Sequence, residues 1–496
     1  MRSPAMARSS ATGLADVRTG DGDPSIADRT ALALAIIAVL GVAYALLARF
    51  AFDGFPYSGD EYSLALQGEL FGRGMLKVPA PAHIEWLGVD HVVIDAWVRS
   101  KYPPGAAALL GIGYHYGAAW LVNPVEAVIA LVVTWGATRR SLGPRPALVA
   151  LVALGVAPLF MFLAASFYTH TATLMFLAVG FAAVVAWTHD RRDRWLVVTG
   201  IALGCTFLTR PLDAVLFGVA MLAFRSPRAL VITAVSALPF VALNGAYQAA
   251  QFGSPFTDGY HVYEPTFRAL YGADTAAASL SLAHLVNPVQ LWNHIDIFRA
   301  LTVDWTVTGT VLVALVGAYA IGPGHPARAM RTFSIALIAA FAIALLPTIS
   351  DPDDGARPRY LSTTLIPIAF LAAAGFAPAC AAIAARFGRR VRTIIVVAAV
   401  TFALAQLGSY LTDRIPKLWK REGLYTAVAA AGLHDAVVIV RAAYPSRYAR
   451  NGPWFQGVLY LSAPATTTAE QVRLAYPGRP VWEAREGEPW TLVRLP

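Results

Sequence analysis

Apolar stretches long enough to cross a lipid bilayer recur through most of this chain, and they decide its class before any motif is weighed. A crossing helix needs about 20 predominantly apolar residues. Segments of that kind lie at 31–49, 124–138, 146–166, 171–188, 195–209, 212–225, 229–250, 299–321, 333–350, 360–384 and 393–411. Of the 496 residues 57% are hydrophobic and 14% charged, against roughly 25% charged in a soluble domain. The expected fold is therefore an all-α polytopic membrane protein with about eleven transmembrane helices.

Charge placement sets the expected orientation. The formal net charge is +9, but the basic residues fall in short clusters between apolar runs, which points to topology and away from nucleic acid. The clusters are Arg139-Arg140, Arg191-Arg192 with Arg194, Arg225 with Arg228, Arg328 with Arg331, and Arg386 to Arg392. With the N-terminus inside, eleven crossings put all of them on the cytoplasmic side. A further crossing at 104–122 would invert every later loop, so that stretch reads as a surface-lying or re-entrant helix. Residues 1–30 carry four Arg and four Asp with no apolar core. They read as a disordered cytoplasmic tail before a retained first span, because 31–47 is longer than a signal-peptide core.

Three extracytoplasmic regions follow: loops 50–123 and 251–298 of the transmembrane module 31–412, and a C-terminal domain, 413–496. In the last, DAVVIV (435–440), GVLYLSA (457–463), PVWEA and WTLVRL read as strands. TTAEQVRLAY (467–476) reads as a helix behind a Thr cap. This is a small α/β domain. Cys205 and Cys380 both sit in apolar runs and suggest neither a disulfide framework nor a metal motif.

The topology gathers distant polar residues at one face. Asp60 and Glu61 follow the first span, and Lys101-Tyr-Pro-Pro-Gly closes the polar part of the first loop. Tyr168-Thr-His170, Thr209-Arg210-Pro211 and Arg357-Pro-Arg359-Tyr360 lie at later turns. Ionisable groups at such depth are expensive and mark function. A carboxylate can take a hydroxyl proton, and Arg and Lys can hold a phosphate. A base beside a phosphate clamp suits attack of a hydroxyl on a sugar carbon whose leaving group is a lipid phosphate, the cations stabilising the departing charge.

These residues resemble the GT-C glycosyltransferase superfamily, particularly the dolichyl-phosphate-mannose protein mannosyltransferases and the lipid A aminoarabinose transferases, over about 31–412. The matching pieces are Gly59-Asp60-Glu61-Tyr62, Lys101 to Pro104, Leu208 to Pro211, and Arg359-Tyr360-Leu361 with Pro367. The resemblance implies transfer from a polyprenyl-phosphate sugar with inversion, the first-loop Asp acting as base and Lys and Arg contacting the phosphate. Asp60 and Glu61 are thus the catalytic candidates; Lys101, His170, Arg210, Arg357, Arg359 and Tyr360 are the substrate-binding ones. Where the family often carries an acid, at the start of the fourth span, this chain has Tyr168-Thr-His170-Thr.

Plainer readings stand beside these. Ser58, Asp60 and Glu61 suit the N-terminus of an amphipathic helix over 62–73. Lys101 and Arg210 suit interface anchors. Asp351, Asp353 and Asp354 suit a solvated loop better than a divalent metal, so no cofactor is expected. His83, Glu85, Asp90 and His91 fit no zinc spacing and read as groove lining or plain loop. Tyr and Trp near span ends read as interfacial. The expected partners are the donor, membrane lipids and a glycan, lipid or protein acceptor. Abundant Ala and Arg suggest a bacterial inner membrane. The competing functions are a secondary transporter and a non-catalytic envelope assembly protein.

Overall fold

The computed structural model describes residues 24–271, 287–347 and 357–496. The first helix, α1 (Pro24–Leu46), runs into a π-turn, Leu47–Ala51. It therefore begins inside the segment expected to be a tail; residues 1–23 of that tail lie outside the described residues. α1 is apolar all round, as a lipid-facing helix must be. Ala33, Ile37, Leu40 and Tyr44 face the protein at helical spacing, and Leu32, Leu34, Val39 and Val42 lie exposed on the other sides. The Tyr44 hydroxyl donates to the Gly155 carbonyl at 2.5 Å, which satisfies its one polar atom in the core.

The first outer loop folds as α2 (Gly59–Gly72), strands β1 (Val78–Pro79), β2 (Val92–Ile94) and β3 (Trp97–Ser100), and α3 (Pro104–His115). The strands form an antiparallel sheet in the order β1-β3-β2. Then follow α4 (Val122–Leu142), α5 (Pro144–Gly155), α6 (Pro158–Ala165), α7 (His170–Asp190), α8 (Arg194–Thr209), α9 (Pro211–Ala220) and α10 (Pro227–Phe252). After them come α11 (Gly259–Tyr271), α12 (Pro288–Val303), α13 (Thr310–Ala320), α14 (Arg328–Leu345), a 3-10 segment Arg357–Thr364 and α15 (Leu365–Ala430). Proline opens α3, α5, α6, α9, α10 and α12, where its missing N–H is no loss. α7 is the central helix, buried along most of its length.

Among the described residues six helices are long and apolar enough to cross a membrane, or seven if α5 and α6, bent by 62° at their junction, count as one crossing. The expected eleven exceeds this for two reasons. Arg194–Thr209, Pro211–Phe224 and Thr310–Ala320 are apolar but short. And the expected spans 360–384 and 393–411 run on as one helix, α15, in which Gly388 is non-helical with φ 87° and ψ 161°. α15 cannot be straight. Near its start Arg359 lies 3.7 Å from Asp60, and near its end Glu422 accepts from the Tyr57 hydroxyl at 3.2 Å. Tyr57 and Asp60 are three residues apart, so roughly 10 Å of chain separates those contacts. The helix must double back, and Gly388 is where its backbone permits it. The stretch 104–122 forms no crossing of its own: α3 has 12 residues and packs along α2.

Beyond α15 lie β4 (Val437–Arg441), β5 (Leu459–Leu461), α16 (Ala469–Ala475), β6 (Val481–Arg485) and β7 (Thr491–Arg494). The sheet order is β5-β4-β6-β7, with β4 parallel to both neighbours and β7 antiparallel to β6. Thr468 caps α16 in a capping box with Gln471. Side chains alternate across β4. Val437 and Ile439 join Leu66, Leu70, Val78, Val92 and Val98 of the first loop in one apolar core, while Val438 and Val440 face Leu424 and Val428 of α15. The sheet is thus wedged between the first loop and the returning arm of α15. Arg450 fastens it there: its guanidinium donates to the carbonyls of Pro56 and Tyr57.

Candidate active site

The adjacent acids of α2 do different work. Ser58 caps the helix, and Glu61 completes a capping box: Glu61 N–H donates to Ser58 Oγ at 3.1 Å and Ser58 N–H to Glu61 Oε2 at 2.9 Å. The other carboxylate oxygen accepts from Phe167 N–H at 3.0 Å. Burial pushes the Glu61 carboxyl up, against those backbone donors. Both oxygens are in use, and Glu61 joins α2 to the start of α7. Glu61→Ala should therefore cost stability, about 1–3 kcal/mol for a lost cap and an unpaired buried N–H. Turnover per folded molecule should stay within about threefold of wild type. Thermal unfolding in detergent, read beside activity, checks both.

Asp60 points into a different space. Its Oδ1 accepts from the Tyr102 hydroxyl and lies 3.8 Å from His91 Nε2; its Oδ2 lies 3.7 Å from the Arg359 guanidinium. Burial works to raise this carboxyl, but His91 when protonated, Arg359, the Tyr102 hydroxyl and Lys101 together hold it below the usual carboxylate range. His91 is itself pushed down by burial and by Lys101, against the pull of Asp60. It sits in the left-handed region, φ 67°. The Ser63 hydroxyl donates to its carbonyl at 2.6 Å, and its ring lies where a Cβ on Gly59 would meet it at 2.9 Å.

Lys101 leaves β3 into a cage of tyrosines. It is 5% exposed, and its ammonium stands 4.5 Å from the Tyr260 ring centroid, 4.6 Å from that of Tyr263 and 5.5 Å from that of Tyr102. Such faces attract a cation. Burial pushes the ammonium down, against Asp60, Glu264 and Asp90. In the same motif Pro104 opens α3, and Gly105 lets that helix press on the end of α8, since a Cβ would lie 2.7 Å from Leu208 O. α11 presses equally hard on Lys101: a Cβ at Gly259 would lie 2.2 Å from its carbonyl oxygen. Gly259→Val should push Tyr260 and Tyr263 off the ammonium. The expected result is at least tenfold weaker binding of a polyprenyl-phosphate ligand, measured by titration in nanodiscs, together with a lower unfolding temperature, because the clash falls on main chain.

A second row begins at α7. Arg210 donates through Nε to Asp213 Oδ2 at 2.9 Å and through Nη1 to His170 Nε2 at 3.0 Å. A guanidinium only donates, so this contact fixes His170 as the neutral, Nδ1-protonated tautomer. The His170 ring stands 5.7 Å from that of Tyr168 and 6.4 Å from that of Tyr360. The same two tyrosines flank Arg359, at 5.2 and 4.7 Å from its guanidinium. Arg359 also donates to the Tyr360 hydroxyl at 3.1 Å.

The structure thus brings Asp60, Lys101, His170, Arg210, Arg359 and Tyr360 together and turns Glu61 away. Arg357 opens the 3-10 segment, and its side chain lies outside the described residues, as do Asp351, Asp353 and Asp354. Among the described residues no three His, Cys, Asp or Glu side chains group as a metal site. The cluster His83, Glu85, Asp90 and His91 divides. His83 pairs with Glu85 at 3.1 Å; Asp90 accepts from Ser446 of the C-terminal sheet region at 2.7 Å; His91 alone reaches Asp60. Asp213, Tyr260 and Tyr263 were not anticipated. The Tyr260-His-Val-Tyr263 spacing, which puts both rings on one helix face, was the available signal.

Comparison with known proteins bears on the fold. The family model described as dolichyl-phosphate-mannose-protein mannosyltransferase matches residues 103–246. No curated protein matches the sequence. Among solved structures the chain is similar to ArnT from Cupriavidus metallidurans bound to undecaprenyl phosphate, at 15% identity and TM-score 0.55, over 92% of this chain and 93% of that one. The apo state of the same protein matches at 15% identity and TM-score 0.51, over the same shares. The chain is a multi-pass membrane protein with the fold of the GT-C glycosyltransferases.

Proposed function

We propose that this protein moves a sugar from a polyprenyl-phosphate donor to a hydroxyl of an extracytoplasmic acceptor, with inversion at the sugar carbon. The observation that carries the reading is the convergence of Asp60 with Arg359 at 3.7 Å and with the caged Lys101. An ionised carboxylate is the form a general base needs. Asp60 takes the acceptor proton as the acceptor oxygen bonds to the anomeric carbon. The carbon–oxygen bond to phosphate breaks, and its electron pair leaves on the phosphate. Lys101 and Arg359 stabilise that charge, with the row from Arg210 to His170 behind them. The matched ArnT structure contains undecaprenyl phosphate, which supports a polyprenyl-phosphate donor here. The first loop and the described residues of the second, 251–271 and 287–298, would wall the cavity, and the C-terminal domain, reaching Asp90 through Ser446, would cap it or hold the acceptor. The site faces the outer side of a bacterial inner membrane, with the N-terminus cytoplasmic.

The test is turnover. Protein in liposomes, offered crude polyprenyl-phosphate sugars and a mixed acceptor pool, should release polyprenyl phosphate and inverted product. Substrate flux without any covalent change would replace this reading with transport.

A further inference from the structure

Arg359 touches both halves of the proposed chemistry, and its resting geometry is a compromise. Its guanidinium is buried, with the side chain 7% exposed, and stands 3.7 Å from Asp60 Oδ2. That is an ion pair too long to be a hydrogen bond. The guanidinium also donates to the Tyr360 hydroxyl at 3.1 Å. The rings of Tyr168 and Tyr360 flank it, a platform on which a planar cation can turn without losing its contacts. It is carried on the short 3-10 segment before α15, not on a long helix that would fix its direction.

We propose that Arg359 is a two-position cation, paired with Asp60 while the donor site is empty and turned onto the donor phosphate once it binds, so that Asp60 becomes an effective base only in the donor complex. This rests on the transfer reaction proposed above. The chemistry is straightforward. A carboxylate facing cations binds protons weakly. Taking one cation away and placing a phosphate nearby both strengthen its hold on a proton. The other groups facing Asp60 are His91 with Asp90 behind it, Lys101 and Tyr102 from the first loop, Tyr260 and Tyr263 from α11, and Glu61 on its own helix. Lys101 lies among three tyrosine rings and burial pushes His91 toward its neutral form, so Arg359, a permanent charge 3.7 Å from Asp60, is the cation for which a donor phosphate competes. The consequence is order. Before the donor arrives the base is weak; the acceptor proton moves only when a leaving phosphate is in place to receive the electron pair.

Two pH profiles in liposomes test this. kcat/KM for the donor reports the free enzyme, and kcat/KM for the acceptor at saturating donor reports the donor complex. The acidic limb of the acceptor profile should lie about one pH unit or more above that of the donor profile, a tenfold change in proton affinity. In Arg359→Gln the gap should close; in Arg359→Lys, which keeps the charge, it should persist. Coincident limbs in an active wild type overturn the inference and leave the transfer reaction standing. A gap that survives in Arg359→Gln overturns it too. Absence of any transfer by wild type removes the reaction itself. The wild-type comparison needs no variant to fold.

Discussion

Asp60→Asn should fold like wild type, bind donor at least as well, and turn over about 10²–10⁴-fold more slowly, the range for loss of a general base. Asparagine keeps the shape and still accepts from the Tyr102 hydroxyl, so the bond that orients the side chain survives. What disappears is the charge. Arg359 and Lys101 then face the site without their carboxylate, and a donor phosphate is drawn in more strongly. The KM for donor should be flat or lower while kcat falls. That split separates a lost base from a damaged site, in which both would worsen. Steady-state kinetics in liposomes, beside an unfolding curve, measure it. A variant within threefold of wild type in kcat would show that Asp60 is not the base.

Glu61 sits one residue away and shows why such pairs mislead a reader of sequence. Nothing in Asp60-Glu61 says which acid faces the site. The capping pattern was visible, since Ser58 stands three residues before Glu61, but a cap and a base are both carboxylates at a helix start. Tertiary placement decides: Phe167, far along the chain, supplies the N–H that occupies the remaining oxygen of Glu61. Lys101, Arg210 and Arg359 were legible for a different reason. A charge at the edge of an apolar run is costly, and the cost itself flags the residue. Tyrosines carry no such flag, because they settle at membrane interfaces anyway. So Tyr260 and Tyr263 could not be told from anchors until α11 placed them over Lys101. Asp213 was hidden inside an apolar run, two residues beyond Pro211, where its 2.9 Å contact with Arg210 explains it. The fold divides along similar lines. Long apolar runs located the helices, and short ones the C-terminal strands. Neither could show that β4 and β5 share a core with the first loop, because that core joins segments more than 300 residues apart.

The crossing of α13 with the first arm of α15 is where substitution should do the most structural damage. A Cβ at Gly317 would lie 1.9 Å from the Leu371 carbonyl oxygen, and one at Gly375 would lie 2.0 Å from that of Val313. The clash is reciprocal and falls on backbone, so no side chain can move aside; only the helices can. In a bilayer such close approach is what holds helices together, since lipid is as apolar as leucine. Gly317→Leu should therefore force α13 and α15 apart. Overpacking costs typically 1–3 kcal/mol, and with main chain on both sides the expected loss is at the top of that range or beyond. The same arm carries Arg359 and Tyr360 at its head, so the milder Gly317→Ala should weaken donor binding several-fold while the protein still folds. Gly136 and Gly218 provide the contrast. Nothing lies within 4 Å of a Cβ at either, and alanine there should be neutral or stabilising by about 0.5–1 kcal/mol through helix propensity. Unfolding temperatures of the four variants in one detergent decide the matter. Equal values for Gly317→Leu and Gly136→Ala would mean that the two helices do not cross at these glycines, and the position of Arg359 beside Asp60 would lose its support.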